Sequence, residues 1–263
     1  MNSDLTFVVI SSTNDLLIEK TLASIDGVGE VLLVDGGPRK MHRSESLEID
    51  LKGLSEKYNC RYLLRKYRYA ADQYNFALSK VNSTWAFIID SDEVLSAELR
   101  KFLQMGKFSG KNFYSVKRNN LVLGQIMKYG QFKPDWNIRL IKPSYCKYED
   151  RKVHARMLTQ GIGGKASGVL VHSTVESIDS FFMKMIEFSK LETDSRKLRN
   201  SSRELKGILR ARATKLPFQS SLRFIYSYIV RGGILDGRRG YLFSKSAAFY
   251  EIMVEMFRLE QRE

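Results

Sequence analysis

Three acids, Asp90, Asp92 and Glu93, stand directly behind the apolar run Trp85-Ala86-Phe87-Ile88-Ile89. A run of that length and composition predicts a strand buried on both faces of a sheet. Its acids would then gather at the carboxyl end, where open α/β sheets bind ligands. Carboxylates are costly to bury unless they are paired or metal-bound. The cluster therefore predicts a divalent cation, with a phosphate behind it. A second apolar run, Val31-Leu32-Leu33-Val34, ends in Asp35 ahead of Gly36-Gly37-Pro38. On a parallel sheet Asp35 and Asp90 would face one crevice; either one alone would read as a loop cap.

The elements that must position these acids alternate along the first half of the chain. Thr6–Ile10 reads as a strand ending in the polar loop Ser11-Ser12-Thr13-Asn14-Asp15, and Leu16–Ile25 has helical spacing. Strand 31–34 precedes an amphipathic helix over Ser44–Tyr58, with Leu47, Leu51 and Leu54 on one face. Arg61–Leu64 is a weaker strand, Ala70–Val81 a helix, Trp85–Asp90 a strand and Ser96–Met105 a helix. Such alternation implies a parallel sheet with right-handed crossovers. After Gly110 the pattern becomes one of short strands, over 112–116, 121–126, 135–141, 145–148, 153–158 and 166–172. Arg118-Asn119-Asn120 lies between the first two, and Gly161, Gly163 and Gly164 separate the last two. From Val175 the spacing is helical, with a final helix over Tyr241–Leu259. The expected divisions are 1–110, 111–174 and 175–263.

The net charge of +14 is uneven: residues 1–100 hold 12 Lys+Arg against 15 Asp+Glu, and residues 101–263 hold 31 against 14. A basic half calls for an anionic partner: nucleic acid, an anionic membrane surface or a phosphorylated substrate. The densest run, Arg196 to Lys215, has eight cations and only Glu204 against them, and Phe218, Leu222, Phe224, Ile225 and Ile229 follow it. That mixture over 196–230 suits an anionic leaflet. Nucleic acid is not expected, because no helix-turn-helix, zinc-finger or ribonucleoprotein motif accompanies the charge. Two cysteines, Cys60 and Cys146, exclude a disulfide scaffold and favour a reducing, cytoplasmic setting. No signal peptide and no run near ~18 apolar residues is read. The expected location is cytoplasmic, peripheral at the inner face of the cytoplasmic membrane.

Together these pieces resemble the family 2 glycosyltransferases of the GT-A fold, and within them the bacterial branch containing lipopolysaccharide inner-core glucosyltransferases. Val8–Ser11 through Asp15, Leu32–Gly37, Tyr74-Asn75-Phe76-Ala77 and Trp85–Glu93 carry the resemblance in the first half. Asp135–Leu140, Val153-His154, Leu170-Val171-His172 and Gly233-Ile234-Leu235-Asp236-Gly237 carry it in the second. The implied fold is a Rossmann-like, mostly parallel central sheet with a mixed β addition and a C-terminal helical tail. The implied activity is inverting, metal-dependent transfer of a hexose from a nucleotide diphosphate sugar, a UDP-sugar first, to a hydroxyl of a surface glycan or lipid-linked acceptor.

By that resemblance Asp15 and Asp35 hold base and ribose, Asn75 belongs to the donor site, Asp90 meets ribose or metal, and Asp92 binds Mg²⁺ or Mn²⁺. His172 is read as a metal or diphosphate ligand or as a buried structural histidine. Arg139 would pair with Asp92 or Glu93, or grip phosphate. Trp136 and Tyr129 would stack on a sugar or pack in the core. Two departures stand out. The loop after Asp35 is Gly37-Pro38-Arg39-Lys40, where the family has Ser or Thr and then Asp. His154 is followed by Ala155 where relatives have Glu. The base that an inverting transfer needs is therefore assigned to Asp150, with Glu149 and Asp135 as substitutes; the rival reading of Glu149-Asp150 is a turn pair against Arg151 and Lys152. A sugar nucleotidyltransferase would show a glycine-rich basic loop after the first strand, and Ser11–Asp15 is neither. A non-catalytic glycan- or nucleic-acid-binding protein of the same fold is the other alternative.

Overall fold

A computed structural model describes residues 1–12, 15–37, 49–151, 155–200 and 218–261. Outside them lie Thr13 and Asn14 of the first loop, Pro38–Lys40, the start of the expected 44–58 helix, Val153-His154, and 201–217 of the basic run. Strand β1 (Asn2–Ser11) is buried continuously from Leu5 to Ser11. It lies between β2 (Gly29–Asp35) and β4 (Trp85–Asp90), parallel to both, and β3 (Arg61–Leu64) extends the row beside β2. Side chains alternate across the row. Phe7, Val9, Phe87 and Ile89 fill one core and Val8, Ile10, Ala86 and Ile88 the other. A central parallel strand has no solvent face, which is why these runs are apolar at every position.

Helices α1 (Ile18–Ile25), α2 (Leu51–Lys57), α3 (Ala70–Leu78) and α4 (Ala97–Met105) fall between or after those strands. Helix α2 is capped by Asp50, which accepts the Gly53 N–H at 2.9 Å. Helix α4 begins at its Ser96 cap and ends at left-handed Gly106.

Among the described residues nine strands form one sheet, in the order β3-β2-β1-β4-β8-β6-β11-β5, with β7 on β6. The added strands are β5 (Glu93–Leu95), β6 (Phe113–Val122), β7 (Gln125–Met127), β8 (Asp135–Ile141) and β11 (Gly163–Val175); β9 (Cys146–Tyr148) and β10 (Met157–Thr159) form a separate hairpin. The pairings β4–β8, β6–β8, β6–β7 and β5–β11 are antiparallel. Three expectations change. The break expected at Arg118-Asn119-Asn120 is not one: β6 runs through it and turns at Leu123-Gly124, both with positive φ. Gly163 and Gly164 belong to β11, where a Cβ would meet the Phe113 ring of β6 at 2.5 Å or the Tyr114 ring at 2.7 Å. Glu93 is not at a strand tip; it opens β5, opposite His172.

Gly168 is the tightest point of β11. Its φ is +85°, and a Cβ would lie 2.2 Å from the Leu99 backbone nitrogen. Gly168→Ala should therefore destabilise the chain by about 2 kcal/mol or more, from left-handed strain and displacement of α4. Urea unfolding reads this directly, and a loss below about 0.5 kcal/mol would contradict the packing described.

The chain forms two compact units. The first holds 1–119 and 135–173, the second 120–134 and 174–263. The second is mainly α5 (Ile178–Asn200), α6 (Gln219–Ile225), a π-helical turn over Tyr226–Val230, and α7 (Gly237–Glu260). Phe132, Phe181 and Phe243 pack edge to face within it. No helix among the described residues is long and apolar enough to cross a membrane.

Candidate active site

Strand register brings the acids to one level. Ile10 of β1 is opposite both Val34 and Asp90, and Ser11 is opposite Asp35. Asp35 and Asp90 therefore end the two strands that flank β1. Asp15 ties the β1 loop to the turn after β4: its Oδ2 accepts from Ser12 N–H at 3.0 Å, Ser11 Oγ at 3.1 Å and Ser91 Oγ at 2.8 Å. Ser12 Oγ is buried there without a partner among the described residues. Asp35 accepts from Gly37 N–H at 2.7 Å and from the Tyr62 hydroxyl at 2.5 Å. Burial and this carboxylate push the Tyr62 phenol up to about 12, so it stays a donor.

Under the crevice lies an ion network whose centre, Arg139 and Glu93, is buried. Arg139 Nη2 reaches Asp90 Oδ2 at 2.7 Å and Glu93 Oε1 at 2.6 Å. Arg118 approaches Glu93 at 3.5 Å and grips Asp135 through two nitrogens, at 3.1 and 2.9 Å. The Tyr74 hydroxyl donates to the other Asp90 oxygen. Burial pushes the Asp90 carboxyl up, but the Arg139 charge and hydrogen bond, helped by Tyr74, outweigh it and hold it at about 2. Glu93 is fully buried, and burial wins there over Arg139, so its carboxyl sits above the usual range. Of the pairings expected for Arg139, the one with Glu93 is present; the link to Asp90 was not foreseen.

Asp92 remains partly open. Its Oδ2 lies 3.3 Å from His172 Nε2, and its carbonyl accepts from Ser173 N–H at 3.0 Å. Strand β11 thus presents the histidine directly beside the turn. A carboxylate and an imidazole suit Mg²⁺ or Mn²⁺ when the other positions are filled by water and substrate phosphate. Among the described residues no group of three or more His, Cys, Asp or Glu side chains gathers to hold a metal ion.

Helix α3 links this crevice to the proposed base. Asn75 clamps the backbone of Tyr148 in both directions, at 3.0 and 2.9 Å. Tyr148 stacks on Tyr74 at 5.2 Å between ring centres. Beyond Tyr148, Glu149 accepts from Arg156 N–H at 3.2 Å and pairs with Arg151 at 3.6 Å, while Asp150 accepts the Tyr69 hydroxyl. Asn75 thus positions the Glu149-Asp150 corner with its side-chain amide. Trp136 is 47% exposed, with Lys165 Nζ over its ring at 4.7 Å.

No family model matches the chain. It is 23% identical over 249 residues to the lipopolysaccharide core biosynthesis glycosyltransferase LpsC of Rhizobium meliloti (strain 1021), across 93% of this chain and 88% of that protein. Its fold is similar to that of the mannosyltransferase PcManGT from Pyrobaculum calidifontis, solved with GDP-Man and Mn2+. The TM-score is 0.51 at 14% identity, over 100% of this chain and 89% of that one. The chain is a glycosyltransferase homologue with a GT-A fold. Staphylococcus aureus TarS aligns more loosely, at TM-score 0.43 and 9% identity over 92% of this chain; the chain spans only about half, 55%, of that protein.

Within this glycosyltransferase fold the sequence reading missed the residues that hold the acids in place. Tyr62, Tyr69, Tyr74, Ser91 and Arg118 contact Asp35, Asp150, Asp90, Asp15 and Asp135 respectively. Tyr74 stood in the Tyr74–Ala77 motif without a role of its own, and Arg118 was read as part of a break between strands. The tyrosines follow no spacing that distinguishes a carboxylate partner from a core residue.

Proposed function

We propose that this glycosyltransferase homologue is an inverting, metal-dependent hexosyltransferase. It moves a hexose from a nucleotide diphosphate sugar, UDP-sugars first, to a hydroxyl of a surface glycan or lipid-linked acceptor. The observation that carries the reading is the Asp92–His172 pair, partly open and set where Asp35 and Asp90 end their strands. Asp35, with both oxygens oriented by Tyr62 and Gly37, receives the nucleoside. Asp15 fixes the loop beside it, and Asp90 meets ribose or metal through whatever coordination Arg139 and Tyr74 leave free. Asp92 and His172 hold Mg²⁺ or Mn²⁺, which when bound neutralises charge on the departing diphosphate. Asp150 takes the acceptor's hydroxyl proton as the new glycosidic bond forms and the bond to the diphosphate breaks, with no covalent intermediate. Glu149, held in its hairpin, is the substitute. The chain works in the cytoplasm, peripheral at the inner membrane face, where a lipid-linked acceptor lies.

Calorimetric titration tests this. UDP-glucose, UDP-galactose, GDP-mannose and their N-acetyl relatives are each added with Mn²⁺ and again with chelator. At least one should bind, with the affinity lost on chelation. Silence from all of them would remove the enzyme reading.

A further inference from the structure

Most of the large apolar side chains exposed among the described residues belong to the second unit. Phe218, Leu222, Ile225, Tyr226, Ile229 and Val230 recur at the spacing of one helical stripe along α6 and the π turn, and all are exposed. Ile229 is 62% and Val230 69% accessible. A patch of this kind marks a surface that something covers. Between α6 and α7 a pocket of about 600 Å³ opens beside the stripe, with Ile225 common to both. Its walls include Phe224, Tyr241, Phe249 and Ile252, and the exposed Lys245 lies among them with Nζ 4.8 Å from the Tyr241 ring. The volume is within the usual range for a small-molecule site.

Charge decides between occupants. Arg196 is paired with Glu192 and Glu251, but from Lys197 to Lys245 the chain has 12 Lys+Arg against Glu204 and Asp236 alone. Arg223, on α6 itself, and Arg238, in the first turn of α7, are both exposed. A second copy of the chain would set this field against itself, whereas an anionic lipid surface would complement it while taking up the apolar side chains.

We propose that the second unit docks on an anionic phospholipid bilayer through the Phe218–Val230 stripe, with an acyl chain entering the α6–α7 pocket and Lys245 meeting the phosphate. This deepens the membrane part of the proposed function and does not depend on sugar transfer.

Flotation of the full chain tests it, with vesicles of phosphatidylcholine against vesicles that also contain phosphatidylglycerol. The chain should float with the anionic vesicles and remain behind with the neutral ones. Ile229→Asp should weaken that binding by roughly tenfold or more, because an apolar anchor is replaced by a charge. Ala248→Trp, which fills the pocket, should weaken it several-fold at high salt, where the apolar contribution dominates. Val230→Asp stands in if Ile229→Asp fails to fold. Equal flotation on both vesicle types overturns the proposal. So does wild-type affinity in the aspartate variant, or apolar-dependent self-association without flotation. Nucleotide-sugar calorimetry without vesicles should be unchanged in all three variants. A wild-type chain that floats on anionic vesicles but binds no nucleotide sugar would count against the transferase reading and leave the docking surface standing.

Discussion

Arg139→Met is expected to cost about 3–5 kcal/mol of folding stability, because it strands two carboxylates that share one buried guanidinium. Glu93 has no exposed surface, and its next nearest cation, Arg118, is 3.5 Å away and committed to Asp135. Methionine fills the volume, so the loss reads the charge and not a cavity. Urea unfolding at neutral pH measures it. The double variant Arg139→Met/Glu93→Gln should recover a large part, since one stranded charge is then removed. A single-variant loss below about 1 kcal/mol would mean that the network does not hold the β4–β5 turn.

The same network shapes the acid response. Asp90 has its folded pKa held at about 2, below the ordinary carboxylate range. A depressed carboxylate contributes stability above its unfolded value of about 4, and that contribution fades as pH falls through the folded value. Wild type should therefore lose stability between about pH 5 and pH 2. Glu93 works in the opposite direction, since its raised pKa favours the folded state at low pH and opposes it as pH rises. Arg139→Met removes the cation that depresses Asp90, so its stability should vary less steeply over that acid window.

Asp92→Asn is expected to lower metal-dependent donor binding about a hundredfold or more while shifting folding stability by less than about 1 kcal/mol. The asymmetry follows from position. Asp92 lies in a turn, is partly open, and its side chain meets His172 rather than the buried arginines. The backbone bond from Ser173 to the Asp92 carbonyl survives the substitution, so the turn keeps its shape. Calorimetry with donor and Mn²⁺, beside a melting curve, separates the two effects. If donor binding still depends on Mn²⁺ in the variant, the cation is held elsewhere. Asp90 is the poorer metal candidate by this geometry, because both of its oxygens already have protein partners.

The sequence by itself determined the parallel half of the fold. Unbroken apolar runs at 7–10, 31–34 and 85–89 can be buried only on two-faced central strands, and the helical spacing between them requires parallel crossovers. It also determined that Asp35 and Asp90 end those strands, because an acid cannot continue a run buried on both faces. The tertiary structure alone decided what each acid does. Asp90, Asp92 and Glu93 look equivalent in the chain, yet a reversal after Asp92 sends Glu93 into β5 and leaves Asp92 beside His172, 80 residues later in the chain. The partners that divide them, Arg139, Tyr74 and His172, come from β8, α3 and β11. Side-chain pairing across such separations is set by sheet order and register, and no local spacing encodes it. Composition showed that the C-terminal half is basic; only the packing of α6 against α7 decided which of its apolar residues face outward and where they leave a pocket.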